Sequence, residues 1–221
     1  AFATETVYGL GAVATDPAAV RRIFEAKGRP SFNPLIVHVA GIDQARRYAA
    51  DWTDRADSLA RRFWPGPLTI VLPRTPDIPD VVTGGGPTVG LRVPAPIVAR
   101  RLIERVGLPL AAPSANRSNR ISPTRADHVL ADLDGRVHLI LDSGPATVGL
   151  ESTVLDLTAD PPRVLRPGPI SPGVLANVLG MGVDHGPVAA DSGHLASPGL
   201  LAVHYAPRTR AVRIPSPAHL A

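Results

Sequence analysis

Four short segments of this 221-residue chain gather hydroxyls, amides, guanidiniums and carboxylates at a density no apolar core requires. The first, Thr4-Glu5-Thr6-Val7-Tyr8-Gly9-Leu10-Gly11, sets two hydroxyls, a carboxylate and a phenol ahead of two glycines. Glycine lets backbone approach a ligand, and hydroxyls both donate and accept; an ordinary strand-to-helix turn would also use these residues. The second runs from Lys27 through Arg29, Pro30, Asn33 and Pro34. Two cations and an amide in a proline-stiffened loop form a candidate polyphosphate clamp, although cations also suit the C-terminal dipole of a preceding helix. The third, Ala112 to Thr124, holds Ser114, Asn116, Ser118, Asn119 and Ser122 with Arg117 and Arg120. Hydroxyls leading into a helix N-terminus favour anions; capping accounts for Ser122 and Thr124 but not for Ser114 or Asn116. The fourth comprises Glu151-Ser152-Thr153 and Arg163 to Gly168, where a cross-strand structural role competes with ligand binding.

Several chemistries are excluded. The chain has no cysteine, which removes disulfide frameworks, thiolate catalysis and cysteine zinc sites. No GxxxxGK[ST] loop, no GxGxxG after a strand and no HExxH or EF-hand spacing occurs. A bound nucleotide must therefore be held without Walker or Rossmann loops. His38 alternates with Ile36 and Ala40, so it reads as a core histidine. The chemistry points to positioning phosphates and carboxylates rather than to a protein nucleophile. Of the 23 basic residues only Lys27 is lysine, a compact charge where every other cation is the planar arginine fork. A net charge of +4 with scattered arginines gives weak support for a nucleic-acid surface. No apolar run approaches the ~20 residues of a membrane span, and the first residues lack signal-peptide character. A cytoplasmic location is the expectation.

The elements that must position these segments follow from periodicity. Strands are expected at Leu35 to Ala40, Leu68 to Leu72, Thr88 to Val93, Leu108 to Ala112, Val137 to Leu141 and Thr153 to Leu157. Asp16-Pro17 should cap a helix ending near Ala26, and Thr53 a second with Ala56, Leu59, Ala60 and Phe63 on one face. Pro96 to Val106 and Thr124 to Leu133 read as helices, the latter with Thr124 and Asp127 at capping-box spacing. The irregular alternation implies an α/β fold with a twisted mixed sheet, flanking helices and a concave ligand face. Residues 1–180 read as the catalytic domain, opening in Ala1-Phe2 as though a helix and half a strand preceded it. Residues 181–207 have linker composition, and 208–221 read as a tail or the start of another domain.

Taken in order, TETVYGLG, KGRPSFNPLIVH, PGPLT, VGLRVP, APSANRSNRISPT, ESTVLD and RVLRPG resemble the YrdC family of threonylcarbamoyl-AMP synthases. SPGLLAVHYAP, from Ser197 to Pro207, resembles the linker of the family's long two-domain members, which folds over the active site as a lid; most of their C-terminal domain has no counterpart here. The resemblance implies that L-threonine, bicarbonate and ATP, with Mg²⁺ on the phosphates, give threonylcarbamoyl-AMP and pyrophosphate. That product feeds tRNA modification through downstream transfer proteins, and direct contact with tRNA or double-stranded RNA is a further expectation. By the same resemblance Lys27 and Arg29 would be catalytic, and Thr6, His38, Arg92, Ala112 and Ser152 would contact threonine. Arg29, Asn33, Thr88, Ser114, Asn116, Ser122, Arg166 and Tyr205 would hold the nucleotide. Asn119 replaces a usual glycine, which its tolerance of left-handed backbone accommodates. The alternatives are an RNA-binding module of the same fold and a carbamoyltransferase of hydrogenase maturation. The latter carries cysteine-rich zinc motifs that this chain lacks.

Overall fold

A computed structural model describes residues 1–186, 197–198 and 209. In chain order the elements are β1 (Phe2–Ala3), β2 (Tyr8–Gly9), β3 (Ala12–Val13), α1 (Pro17–Lys27), β4 (Ile36–His38), α2 (Ile42–Arg46), α3 (Asp54–Phe63) and β5 (Leu68–Pro73). There follow α4 (Asp80–Thr83), β6 (Thr88–Arg92), α5 (Ile97–Val106), β7 (Leu110–Ala111), α6 (Ala126–Leu133), β8 (Thr153–Asp156), β9 (Arg163–Arg166), α7 (Pro172–Leu179) and β10 (Asp184–His185).

Eight strands form one mixed sheet in the order β10-β9-β8-β5-β6-β4-β7-β3, and β1 pairs with β2 as a separate antiparallel ribbon. Three pairs (β4/β6, β5/β8 and β9/β10) are parallel and the other four antiparallel, the mixed sheet that the interleaved sequence pattern implied. One face of the central strands β5 and β6 is apolar: Leu68, Ile70, Leu72 and Leu91, which share it, are all fully buried. Each such side chain contributes about 1.5–3 kcal/mol. Helix α1 begins where expected, with the Asp16 carboxylate accepting from the Ala18 and Ala19 N–H groups at 2.8 and 3.1 Å. It ends at Gly28 in left-handed backbone. Its buried stripe is Val20, Ile23, Phe24 and Lys27, the i, i+3, i+4, i+7 spacing of one helix face. The lone lysine thus occupies a position the helix turns inward.

Two expectations fail. Val137 to Leu141 forms no strand; only Leu141 bridges to Phe2, and Leu139 is exposed. The β-branched composition had no long partner, because β1 has two residues. The capping box at Thr124 is not made. The Thr124 side chain turns to His128 Nδ1 at 3.4 Å, the Asp127 carboxylate accepts from Arg125 Nε at 3.1 Å, and α6 starts at Ala126. Asn119 adopts φ 67°, the left-handed conformation expected of it. The short helices α2 and α4 had no strong sequence signal, whereas α7 opens on Ser171-Pro172 and closes on Gly180, a signature the sequence reading did not use.

Candidate functional site

Backbone pairing draws the four segments together. The Ala115 N–H donates to Tyr8 O at 2.7 Å and Leu10 N–H to Pro113 O at 2.8 Å, seating the first segment on the third. Ser118 N–H donates to Lys27 O at 2.9 Å, which ties in the second. At the fourth, a Cβ added to Gly168 would lie 2.3 Å from Thr153 N and 2.7 Å from Glu151 O. Only glycine allows the turn after Arg166 to lie against the Glu151–Thr153 backbone.

These contacts form a cleft lined by Thr4, Thr6, Arg29, His38, Arg92, Ala112, Ser114, Glu151 and Arg166 among others. Three guanidiniums face one carboxylate among its lining, so the cleft favours anions. A second, smaller cavity adjoins it across Pro34, Leu35, Ile36 and Pro198, and carries Thr69, Thr83 and Thr88 on its wall.

The register of parallel strands β4 and β6 places His38 opposite Arg92. Ile36 and His38 face the cleft while Val37 and Val39 enter the core, so the alternation was right and the core assignment of His38 was not. Burial, and secondarily Arg92, depress the His38 pKa to about 3, so the ring is neutral at physiological pH. Its Nδ1 has no hydrogen-bond partner among the described residues.

Arg92 is held from behind. Its Nη2 lies 2.7 Å from Glu5 Oε1 and its Nε donates to Gly66 O at 3.3 Å, both residues of the ion pair being buried. Arg29 donates from Nε to Asn33 O at 3.2 Å and from Nη2 to Pro34 O at 2.8 Å. Arg166 donates from Nε to Ser152 O at 3.1 Å and from Nη2 to Ser152 Oγ at 3.0 Å, while Nη1 reaches Pro198 O at 3.5 Å. Carbonyl acceptors help orient all three guanidiniums, while Glu5 pairs with Arg92 and Glu151 Oε2 lies 3.8 Å from Arg166 Nη2, so three cations share the wall with two carboxylates.

Of the residues singled out from sequence, Thr6, Arg29, His38, Arg92, Ala112, Ser114 and Arg166 line the cleft, and Thr88 lines the adjoining cavity. Lys27, Asn33, Asn116, Ser122 and Ser152 line neither of the two and stand one layer behind. Lys27 Nζ donates to the carbonyls of Ser114 (2.5 Å) and Asn116. Burial, with help from Arg29, lowers its pKa to about 7. Ser122 Oγ donates to Glu151 Oε1 at 2.7 Å, and Ser152 braces Arg166. Asn33 is fully buried with both amide atoms unpartnered among the described residues, as is Asn116 Oδ1. Such groups cost about 1–3 kcal/mol each unless water or ligand satisfies them. Tyr205 lies outside the described residues. The sequence reading missed Thr4, Glu5, Glu151 and Pro198 as individual site residues; the signal for Glu5 was a carboxylate flanked by two hydroxyls beside apolar strand residues.

Fold and site together define an α/β protein whose mixed sheet carries a cationic cleft at the strand ends, suited to an anionic ligand. Residues 1–168 match the Sua5/YciO/YrdC family model, described as telomere recombination, and the chain belongs to that family. It is 49% identical over 218 residues to threonylcarbamoyl-AMP synthase of Pyrococcus abyssi, covering 98% of this chain and 64% of that one. It is 50% identical over 209 residues to the Bacillus subtilis protein of the same name, covering 94% and 60%. The crystal structure of P. abyssi Sua5 complexed with L-threonine superposes with a TM-score of 0.90 at 49% identity, covering 94% of this chain and 61% of that chain. The chain therefore spans less than two thirds of the length of these relatives. No helix among the described residues is long and apolar enough to cross a membrane.

Proposed function

We propose that this chain is the catalytic part of an L-threonylcarbamoyladenylate synthase, converting L-threonine, bicarbonate and ATP into threonylcarbamoyl-AMP, pyrophosphate and water. The observation that carries this reading is the cleft itself. A neutral, buried His38 and hydroxyls from Thr4 and Thr6 lie beside Arg92, while Arg29 and Arg166 stand on the same wall system. That arrangement suits a small polar amino acid next to a polyphosphate: a guanidinium for the α-carboxylate, hydroxyls and imidazole for the side chain, and two further guanidiniums for phosphate charge. The relatives named above bear the activity in their names, and the related P. abyssi structure holds L-threonine.

The protein's role in the chemistry is to position and to neutralise. Threonine's amine attacks the bicarbonate carbon, an oxygen of bicarbonate leaves as water to give the carbamate, and a carbamate oxygen then attacks the α-phosphorus with pyrophosphate leaving. Arg29 and Arg166 offset the charge that develops on the phosphates, and enclosure of the cleft keeps water from the labile anhydride. Mg²⁺ fits this reading as an ion brought by the nucleotide. The described residues offer no group of three carboxylates or histidines for a protein cage. Magnesium on phosphates needs only one or two protein oxygens, and Glu151 supplies a carboxylate on the cleft wall. The product would serve tRNA threonylcarbamoyladenosine formation in the cytoplasm through downstream transfer proteins, with tRNA or double-stranded RNA as a further partner.

The test is pyrophosphate release from ATP with each substrate omitted in turn. Release that requires both threonine and bicarbonate is expected. A folded protein that binds RNA but releases no pyrophosphate would make it an RNA-binding module.

A further inference from the structure

Glu5 is an unusual side chain for its place. It sits between Thr4 and Thr6, which both line the cleft, yet its own carboxylate points away from the cavity and into the protein. There its Oε1 lies 2.7 Å from Arg92 Nη2, and its Oε2 accepts the Ala95 N–H at 3.0 Å. The two side chains are only 7% and 3% exposed. Burying an ion pair costs about as much as it returns, and well-packed apolar side chains would hold this site at least as well. The pair therefore has to be explained by what it does to Arg92. Nε and Nη2 form one edge of the guanidinium; Gly66 O accepts from Nε, and Glu5 Oε1 sits 2.7 Å from Nη2 as an ion-pair contact outside hydrogen-bond geometry. Nη1 has no protein partner among the described residues, and Arg92 lines the cleft. The Nη1 end of the fork is thus aimed at the cavity, and its direction is set by a carboxylate anchored through a backbone N–H of the β6–α5 loop.

We propose that Glu5 is a positioning residue for substrate recognition: it fixes the guanidinium plane of Arg92 so that the Nη1 end meets the α-carboxylate of the amino-acid substrate. This rests on the threonine reading given above. Glu5 touches no substrate. It acts through Arg92 alone, so the nucleotide half of the site, built on Arg29 and Arg166, should not register its loss.

The experiment is calorimetric titration of the full chain and of Glu5→Gln with L-threonine and, separately, with ATP, alongside steady-state pyrophosphate release. Glu5→Gln keeps the shape and the hydrogen bond from Ala95 but removes the charge. Threonine Kd and KM should rise at least about tenfold, the scale of truncating one member of a buried charged pair, with ATP Kd within about twofold and kcat at saturating threonine little changed. Glu5→Asp, which keeps the charge and loses reach, should weaken threonine at least about threefold, and it serves as the test if Glu5→Gln does not fold. Threonine affinity within twofold of the unsubstituted chain in a folded variant, or equal losses for threonine and ATP, overturns the proposal. No threonine binding by the unsubstituted chain overturns the substrate reading instead, and the proposal with it.

Discussion

Lys27 shows how one side chain can serve a site it does not line. It lies on the inward stripe of α1, and its ammonium is bound to the carbonyls of Ser114, which lines the cleft, and of Asn116 behind it. Lys27→Ala should remove two charge-assisted hydrogen bonds and leave two carbonyls unpaired, destabilising the fold by about 2–5 kcal/mol. Turnover in the surviving folded protein should fall at least about tenfold. Denaturant unfolding and pyrophosphate release check the two parts. His38 makes a prediction about pH. Its folded pKa is about 3 against 6.5 for a free imidazole, so between those values the unfolded chain binds a proton that the folded chain does not. Stability should therefore fall as pH drops through that window, by up to about 1.4 kcal/mol per pH unit. His38→Gln should lack that component, which shows as a smaller loss of unfolding free energy between pH 6.5 and 4.

At the scale of elements, the site depends on how closely two turns pass. The segment from Arg163 to Gly168 carries Arg166 into the cleft only because Gly168 lies against the backbone of Glu151 to Thr153. Gly168→Ala should force these two strand ends apart, costing about 1–3 kcal/mol. Ser152 would lose its grip on Arg166, and ATP binding should weaken by about tenfold, or 1.4 kcal/mol. A melt and an ATP titration on the same sample test this; loss of stability with unchanged ATP affinity would separate the turn from the site. Elements whose sequence signal was strong formed within a few residues of expectation. The helix at Pro17–Lys27 had its cap, its proline and its apolar stripe in agreement, and the strands β5, β6 and β8 had β-branched runs bounded by glycine or proline. The segment Val137 to Leu141 had composition without a long partner, and strand propensity alone does not make a strand.

For the whole molecule, the question is how far the chain beyond the sheet contributes to the cleft. Ser197 is buried, Pro198 lines both cavities, and the carbonyl of Pro198 faces Arg166 Nη1 at 3.5 Å. The main apolar core draws on residues up to Leu175, with partly buried side chains packed against it as far as Val183. A chain ending at residue 196 should therefore keep its fold, with a melting temperature within a few degrees of the full chain. It should bind ATP more weakly and lose more of the adenylate to hydrolysis, because one wall of the cleft is gone. ATP titration and product-to-pyrophosphate ratios measure both effects, and equal values in the two chains would remove this segment from the mechanism.

Residue types and their order were enough to read the fold class, the central strands and the four polar segments that meet at the cleft. Periodicity, capping residues and local composition act over a few positions and are written directly in the chain. The layering of the site was not readable in that way. That Lys27, Ser122 and Ser152 brace the walls while Arg29, Arg92 and Arg166 form them depends on strand register and on hydrogen bonds spanning up to 89 positions. The same holds for the ion pair of Glu5 and Arg92, because a carboxylate and a guanidinium 87 positions apart become partners only when tertiary packing sets the β1–β2 turn against the end of β6. Local sequence sets what each segment can offer to a ligand; tertiary packing decides which atoms face the cavity and which are spent holding those that do.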